Sequence, residues 1–141
     1  MLFKLDQLLE MLKRHEGLQL KVYKCPAGKL SVGYGRNLED LGISASEAES
    51  LLKNDIIRVK NEVFDAFPWY HSLNTIRQDV IVNMAFNMGI TKLRYFTNLI
   101  SALERHNYGE AAKEMLDSKW AKQVGKRANE LALMMKTGRY P

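Results

Sequence analysis

The spacing of apolar side chains changes twice along this chain, and that change constrains the fold more than any single motif. Leu5, Leu8, Leu9 and Leu12 recur at helical intervals, which predicts an amphipathic helix over about residues 2–15 that Gly17 stops. From Leu18 the period drops to two, with Leu18, Leu20 and Val22 on one side and Gln19, Lys21 and Tyr23 on the other, the pattern of an extended segment. Pro26 presets the second position of a turn begun by Cys25, and Gly28 suits its fourth. Leu30 to Tyr34 should therefore return as the partner strand of a small hairpin. Helical spacing then resumes. Ser44-Ala45-Ser46-Glu47 has the form of a capping box, and Leu52, Ile56, Val59 and Val63 continue one stripe until Phe67-Pro68, a helix of about 20 residues or about 30 Å.

The rest reads as helices around one that is apolar on more than one side, carried by Leu73, Ile76, Val80, Ile81, Met84 and Met88. Shorter stripes fall at Phe96, Ile100 and Leu103, at Ala111 and Met115, and at Ala128, Leu131 and Met135. Breaks come near Gly89, Asn107 to Gly109, and Gly125. With 141 residues, 46% of them apolar and 26% charged, the chain can bury a proper core. It reads as one globular domain of the α+β class, mainly α.

A formal charge of +5 favours anionic partners, among them nucleic acid, acidic lipid and bacterial cell-wall polymer. Lys119, Lys122, Lys126, Arg127, Lys136 and Arg139 concentrate basic groups near the C-terminus, as a solvated helix face also would. Nucleic acid is disfavoured, because Gly33-Tyr34-Gly35 lacks a phosphate-loop context and the basic residues do not interleave with aromatics. No metal or other cofactor is expected, since His15, His71 and His106 are scattered and no second cysteine joins Cys25. An integral membrane segment is not expected either: the best apolar stretch, Val80 to Met88, is interrupted by Asn83 and Asn87. A single cysteine excludes an intramolecular disulfide, and Asp6 and Glu10 come too early for a signal-peptide core. Together these features point to a chain made and folded in a cytoplasm.

Chemistry concentrates between Glu16 and Gly35, where a carboxyl at a helix end, the Cys25 thiol before a turn, and the Ser31 hydroxyl on the returning strand could meet in one cleft. The blocks around them resemble the phage-type lysozymes of glycoside hydrolase family 24, the T-even phage pattern in particular. His15-Glu16-Gly17-Leu18-Gln19-Leu20-Lys21-Val22-Tyr23-Lys24 is similar to that family's catalytic-glutamate motif, and Leu30-Ser31-Val32-Gly33-Tyr34-Gly35 to its Thr-Ile-Gly-x-Gly strand. Later blocks keep the family's order: Asn83 to Gly89, Phe96-Thr97-Asn98, Glu110-Ala111-Ala112, Ser118-Lys119-Trp120 and Lys136-Thr137-Gly138.

The resemblance implies a two-lobed lysozyme fold, with lobes over about residues 14–55 and 56–141 and the first helix packing on the C-terminal lobe. It implies hydrolysis of the β-1,4 bond between N-acetylmuramic acid and N-acetylglucosamine, with Glu16 as general acid. Such an acid must hold its proton, although an unperturbed glutamate titrates near 4.3. Cys25 stands where the T-even proteins have aspartate, and Ser31 where they have a threonine that holds water near the anomeric carbon. Both are expected to position the attacking water, with inversion; the other role open to the Cys25 thiolate is direct attack on the anomeric carbon, with retention. Arg127 matches an arginine that pairs with the catalytic glutamate. Arg36 replaces a histidine, and Asp55 matches its aspartate partner, so a bridge between the two is expected to brace the site. Phe86 and Asn87 match a pair that lines the cleft floor. Asn37, Leu99 and Glu114 fall at further substrate positions where the family has leucine, serine and asparagine. Trp120 reads as a core anchor.

The same resemblance implies a monomeric endolysin whose partner is peptidoglycan. It would wait in the host cytoplasm until a holin opens the inner membrane, then act at the periplasmic cell wall. Two alternatives stand beside this: a wall-binding module that has lost catalysis through the change at Cys25, and a lysozyme domain serving a phage tail.

Overall fold

The structure, a computed structural model, describes residues 2–141, with side chains from Leu5 onward. The chain divides into two compact units, Met1–Ser50 and Leu51–Pro141. In the first, helix α1 (Leu2–Glu16) ends where the Gly17 amide donates to the Lys13 carbonyl at 3.1 Å. Strands β1 (Gln19–Lys24) and β2 (Leu30–Gly33) then pair antiparallel as the alternating pattern predicts, Tyr23 opposite Ser31 and Lys24 opposite Leu30, with a register irregularity between Gln19 and Tyr23. The turn between them forms as expected from Pro26 and Gly28, the Gly28 amide donating to the Cys25 carbonyl at 2.8 Å.

The sheet has a third strand that apolar spacing could not announce. β3 (Arg36–Asn37) is two residues long, and it places Asn37 opposite Ser31 and Arg36 opposite Val32. Leu38 extends the contact by donating its amide to the Leu30 carbonyl at 2.8 Å. Strand β2 therefore stops at Gly33, one residue short of Tyr34, because Tyr34 and Gly35 turn the chain into β3.

Helix α2 (Ala45–Ala66) starts on the capping box read from the sequence: the Glu47 amide donates to Ser44 Oγ at 3.1 Å, and the Ser44 amide to Glu47 Oε1 at 2.8 Å. It runs on into the second unit and gives way to a 3-10 turn at Pro68–Ser72.

The second unit is helical. Its centre is α3 (Thr75–Met88), capped by Asn74 and carrying the fully buried Val80, Ile81 and Met84. The short α4 (Ile90–Arg94) follows Gly89, and α5 (Thr97–Glu104) contributes Leu99, Ala102 and Leu103 to the core. α6 (Tyr108–Leu116) packs on both α5 and α8 (Lys126–Thr137), and α7 (Lys119–Val124) sits between them in sequence, set off from α8 by Gly125. Among the described residues, no helix is long and apolar enough to cross a membrane.

The end of α8 is tied back to the start of α3 by Arg77. Its Nε donates to the Met135 carbonyl at 2.7 Å and its Nη2 to that of Lys136 at 3.2 Å, while the guanidinium lies 3.7 Å over the Tyr108 ring. These donors satisfy carbonyls that a helix end leaves free, with a cation where the helix dipole favours one. Gly138 follows in the left-handed conformation (φ +70°), and a Cβ there would come within 3.0 Å of Arg77 and Asn74. Arg77→Met should lower unfolding free energy by about 2 kcal/mol; chemical denaturation that leaves the midpoint unchanged would show that the clasp contributes nothing.

Candidate active site

Glu16 is the last residue of α1, and its carboxylate lies against the β2–β3 turn. A Cβ built on Gly35 would sit 3.3 Å from Glu16 Oε2, and the backbone there has φ +85°. A bare glycine thus serves two ends: it allows a left-handed turn and lets main chain approach the carboxylate closely.

Cys25 sits at the head of the β1–β2 turn, partly exposed. Its thiol is held below the ordinary cysteine value, first by the Lys29 backbone; burial opposes this as the next largest effect, and the Ala27 backbone and the Ser31 hydroxyl add smaller lowering effects. Hydrogen bonds that favour a thiolate make the sulfur a better nucleophile or base at neutral pH. Ser31 is buried, 2% exposed, and its hydroxyl lies 3.3 Å from the Lys29 carbonyl. Its one proton is in reach of that carbonyl and of the sulfur, and ionised sulfur is the stronger acceptor. Ser31, expected to hold a water, is thus a buried hydroxyl beside the thiol.

The brace expected between Arg36 and Asp55 has a different form. Arg36 grips Glu47 with both ends of its fork, Nη1 to Oε1 at 2.8 Å and Nη2 to Oε2 at 2.7 Å, and Nη1 also donates to the Gly42 carbonyl at 3.1 Å. Asp55 pairs instead with Arg58, one helical turn along α2, at 3.5 Å. Arg36 holds the Glu47 carboxyl down at about 2. Asn37 is occupied within its own loop: its Nδ2 donates to Asp40 Oδ2 and its Oδ1 accepts from the Asp40 amide, each at 3.0 Å, so both ends of the amide shape a turn.

In the second unit, Phe86 and Asn87 part company, because consecutive helix residues point about 100° apart. Phe86, 42% exposed, lines an open hollow of about 370 Å³ with Leu52, Ile56, Asn83, Arg127 and Tyr140. Arg127 is aimed there by Asn83, whose Oδ1 accepts from Nε at 2.9 Å and from Nη2 at 2.7 Å; Nη1 is the end that Asn83 does not hold. Asn87 lines a larger hollow of about 760 Å³ together with Glu114, Leu99, Lys92, Lys119 and Trp120. Its Oδ1 accepts from Trp120 Nε1 at 2.9 Å, which turns the Nδ2 donors away from the indole. Trp120 is buried, as its reading as a core anchor requires. Leu99, 1% exposed, belongs to the core and offers no polar group, which corrects its place among the substrate contacts.

Glu47 and Asn83 are the residues of this arrangement that the sequence reading left out. Asn83 did carry a signal, as a polar side chain interrupting the apolar run of α3. Glu47 was legible as a capping residue, and nothing in its spacing indicated a second partner.

The chain is similar to several proteins of known kind. It is 30% identical to Probable T4-type lysozyme 1 of Dictyostelium discoideum over 92% of this chain and 93% of that one. It is 34% identical to an endolysin of Acyrthosiphon pisum secondary endosymbiont phage 1 over 84% and 82%. It is also 27% identical to the pre-baseplate central spike protein Gp5 of Enterobacteria phage T4, over 92% of this chain and 27% of that protein. These likenesses and the α+β fold define a lysozyme-type glycosidase. The family model for phage lysozyme matches residues 13–135, and the chain belongs to that family.

Two outcomes follow from this geometry. Gly35→Ala should cost about 1–2 kcal/mol of stability from the left-handed backbone alone, and it should depress peptidoglycan turnover further by pushing on Glu16; wild-type turnover in that variant would remove Gly35 from the site. Glu47 has a folded-state pKa below its unfolded one, so the stability it contributes is complete above about 4.5 and is lost as pH falls through about 2. The melting temperature should decline over that window, and Glu47→Gln should flatten the decline.

Proposed function

We propose that this protein is a muramidase that hydrolyses the β-1,4 bond between N-acetylmuramic acid and N-acetylglucosamine in peptidoglycan, and that it serves a phage in lysing its host. One observation carries the reading: the small sheet unit holds both a helix-end carboxylate closely met by a glycine turn and a thiol whose ionised form is favoured by backbone and hydroxyl hydrogen bonds. Glycoside hydrolysis with inversion needs such a pair, one group to protonate the leaving oxygen and one to activate water on the far face of the sugar.

In this mechanism Glu16 gives its proton to the glycosidic oxygen as the bond to the anomeric carbon breaks. The Cys25 thiolate takes a proton from a water, whose oxygen forms the new bond to that carbon. Glu16 ends as carboxylate and Cys25 as thiol, and exchange with solvent resets both. Ser31 keeps the sulfur ionised by donating to it. Within the helical unit, Asn87 and Glu114 line one hollow with polar groups and Phe86 lines another with an aromatic face, the kinds of group that bind sugars. Arg127, aimed by Asn83, supplies the cation of the helical unit.

The lytic role follows the endolysin pattern, in which the enzyme waits in the host cytoplasm and reaches the wall once a holin has opened the inner membrane. The likeness to the T4 spike protein favours one second reading, a lysozyme domain working in a tail structure. Lysis on inducing the chain with a holin, and none without, would support the endolysin reading; lysis independent of the holin would reject it.

Turnover on purified peptidoglycan tests the chemistry. Glu16→Gln should lose about 10³-fold in kcat and Cys25→Ala about 10²-fold, whereas Cys25→Asp should stay within about tenfold of the parent. NMR of the first anomer released should show inversion to α. Full activity in Cys25→Ala would remove the thiol from the mechanism, and a β product would overturn the water-activating role.

A further inference from the structure

We propose that Glu47 is a positioning residue for this hydrolysis, gripping Arg36 and thereby setting both the turn that meets Glu16 and the strand that carries Ser31. The inference rests on the muramidase reading.

Glu47 makes three ties at once from the first turn of α2. Its two oxygens accept the Arg36 fork, Oε1 also accepts the Ser44 amide, and Arg36 reaches on to the Gly42 carbonyl. One carboxylate therefore joins β3, the turn before α2 and the helix start. Arg36 directly follows Gly35, the residue against the Glu16 carboxylate. It also stands opposite Val32, next to the pairing of Asn37 with Ser31, whose hydroxyl supports the Cys25 thiolate. Both reacting groups are thus reached from Glu47 through one or two steps of backbone.

Packing does not hold this unit in place of those ties. Among its described residues Ser31 is the one buried side chain, and the apolar core begins at Val59, in the other unit. A hairpin without a core takes its geometry from hydrogen bonds, and misplacing a reacting group by about 1 Å can cost about 10²-fold in rate. The grip also requires a carboxylate. A fork of two parallel N–H donors needs two acceptor oxygens, and a glutamine would set an NH₂ against the guanidinium.

Glu47→Gln keeps the side chain's size and one oxygen for the Ser44 amide, which makes it the informative variant. Assayed well below its melting temperature, it should show kcat about tenfold lower with KM within about twofold, the signature of lost transition-state geometry and not of lost binding. Its Cys25 should react more slowly with iodoacetamide at neutral pH. Arg36→Lys, which keeps the charge and gives up the fork, should fall between that variant and the parent. Glu49→Gln, exposed on the same helix, should match the parent in every measure. The inference is overturned if Glu47→Gln keeps both kcat and thiol reactivity within about twofold of the parent, or if its loss of kcat equals the unfolded fraction seen by circular dichroism. A parent chain that fails to cleave peptidoglycan would sink the muramidase reading instead, and the iodoacetamide rates would still decide whether Glu47 governs the thiol.

Discussion

A sheet of three short strands cannot bury a core, and this constraint shapes everything around the Glu16 carboxylate and the Cys25 thiol. With Ser31 as the one buried side chain described in the first unit, the hairpins are fixed by hydrogen bonds. Among them are the Cys25–Gly28 turn, the Leu38 to Leu30 bond, the Asn37–Asp40 turn and the Arg36–Glu47 fork. Polar ties of this kind are directional where apolar packing is not, so they can hold a carboxylate and a thiol in defined places. They are also individually modest, since exposed ion pairs and neutral hydrogen bonds contribute little net stability. The unit trades robustness for geometry.

The second unit follows the opposite rule. Val80, Ile81 and Met84 are fully buried on one face of α3, and the helices packed on it are anchored by apolar side chains. Polar groups that enter this core are satisfied, Trp120 by Asn87 and the end of α8 by Arg77. Asn87 and Asn83 also line the hollows of the helical surface, so the same polar interruptions serve packing and the lining of those hollows. That economy explains why a strongly apolar helix tolerates two asparagines.

Replacing aspartate by Cys25 keeps an ionisable group at the turn but moves its natural titration far upward. The structure offsets this locally, because the backbone at Lys29 and Ala27 and the hydroxyl of Ser31 all favour the thiolate. An aspartate at the same place would need none of that help to be charged at neutral pH. The serine and the turn therefore form one device with the cysteine.

Sequence alone determined the class and most of the elements, β3 excepted. The switch of apolar period at Gly17, the Pro26–Gly28 turn, the Ser44–Glu47 capping box and the doubly apolar α3 are local signals, because each depends on residues within a few positions of one another. Glu16 and Cys25 stood out as candidates through the motif around them. Tertiary structure alone decided who holds whom. Arg36 gripped Glu47, Asp55 paired with Arg58, Asn37 bonded its amide to Asp40, Ser31 was buried, and Leu99 went to the core. Each outcome depends on distances across strands and helices that spacing along the chain does not encode, and each turns on which partner a polar or apolar group reaches once the backbone is set.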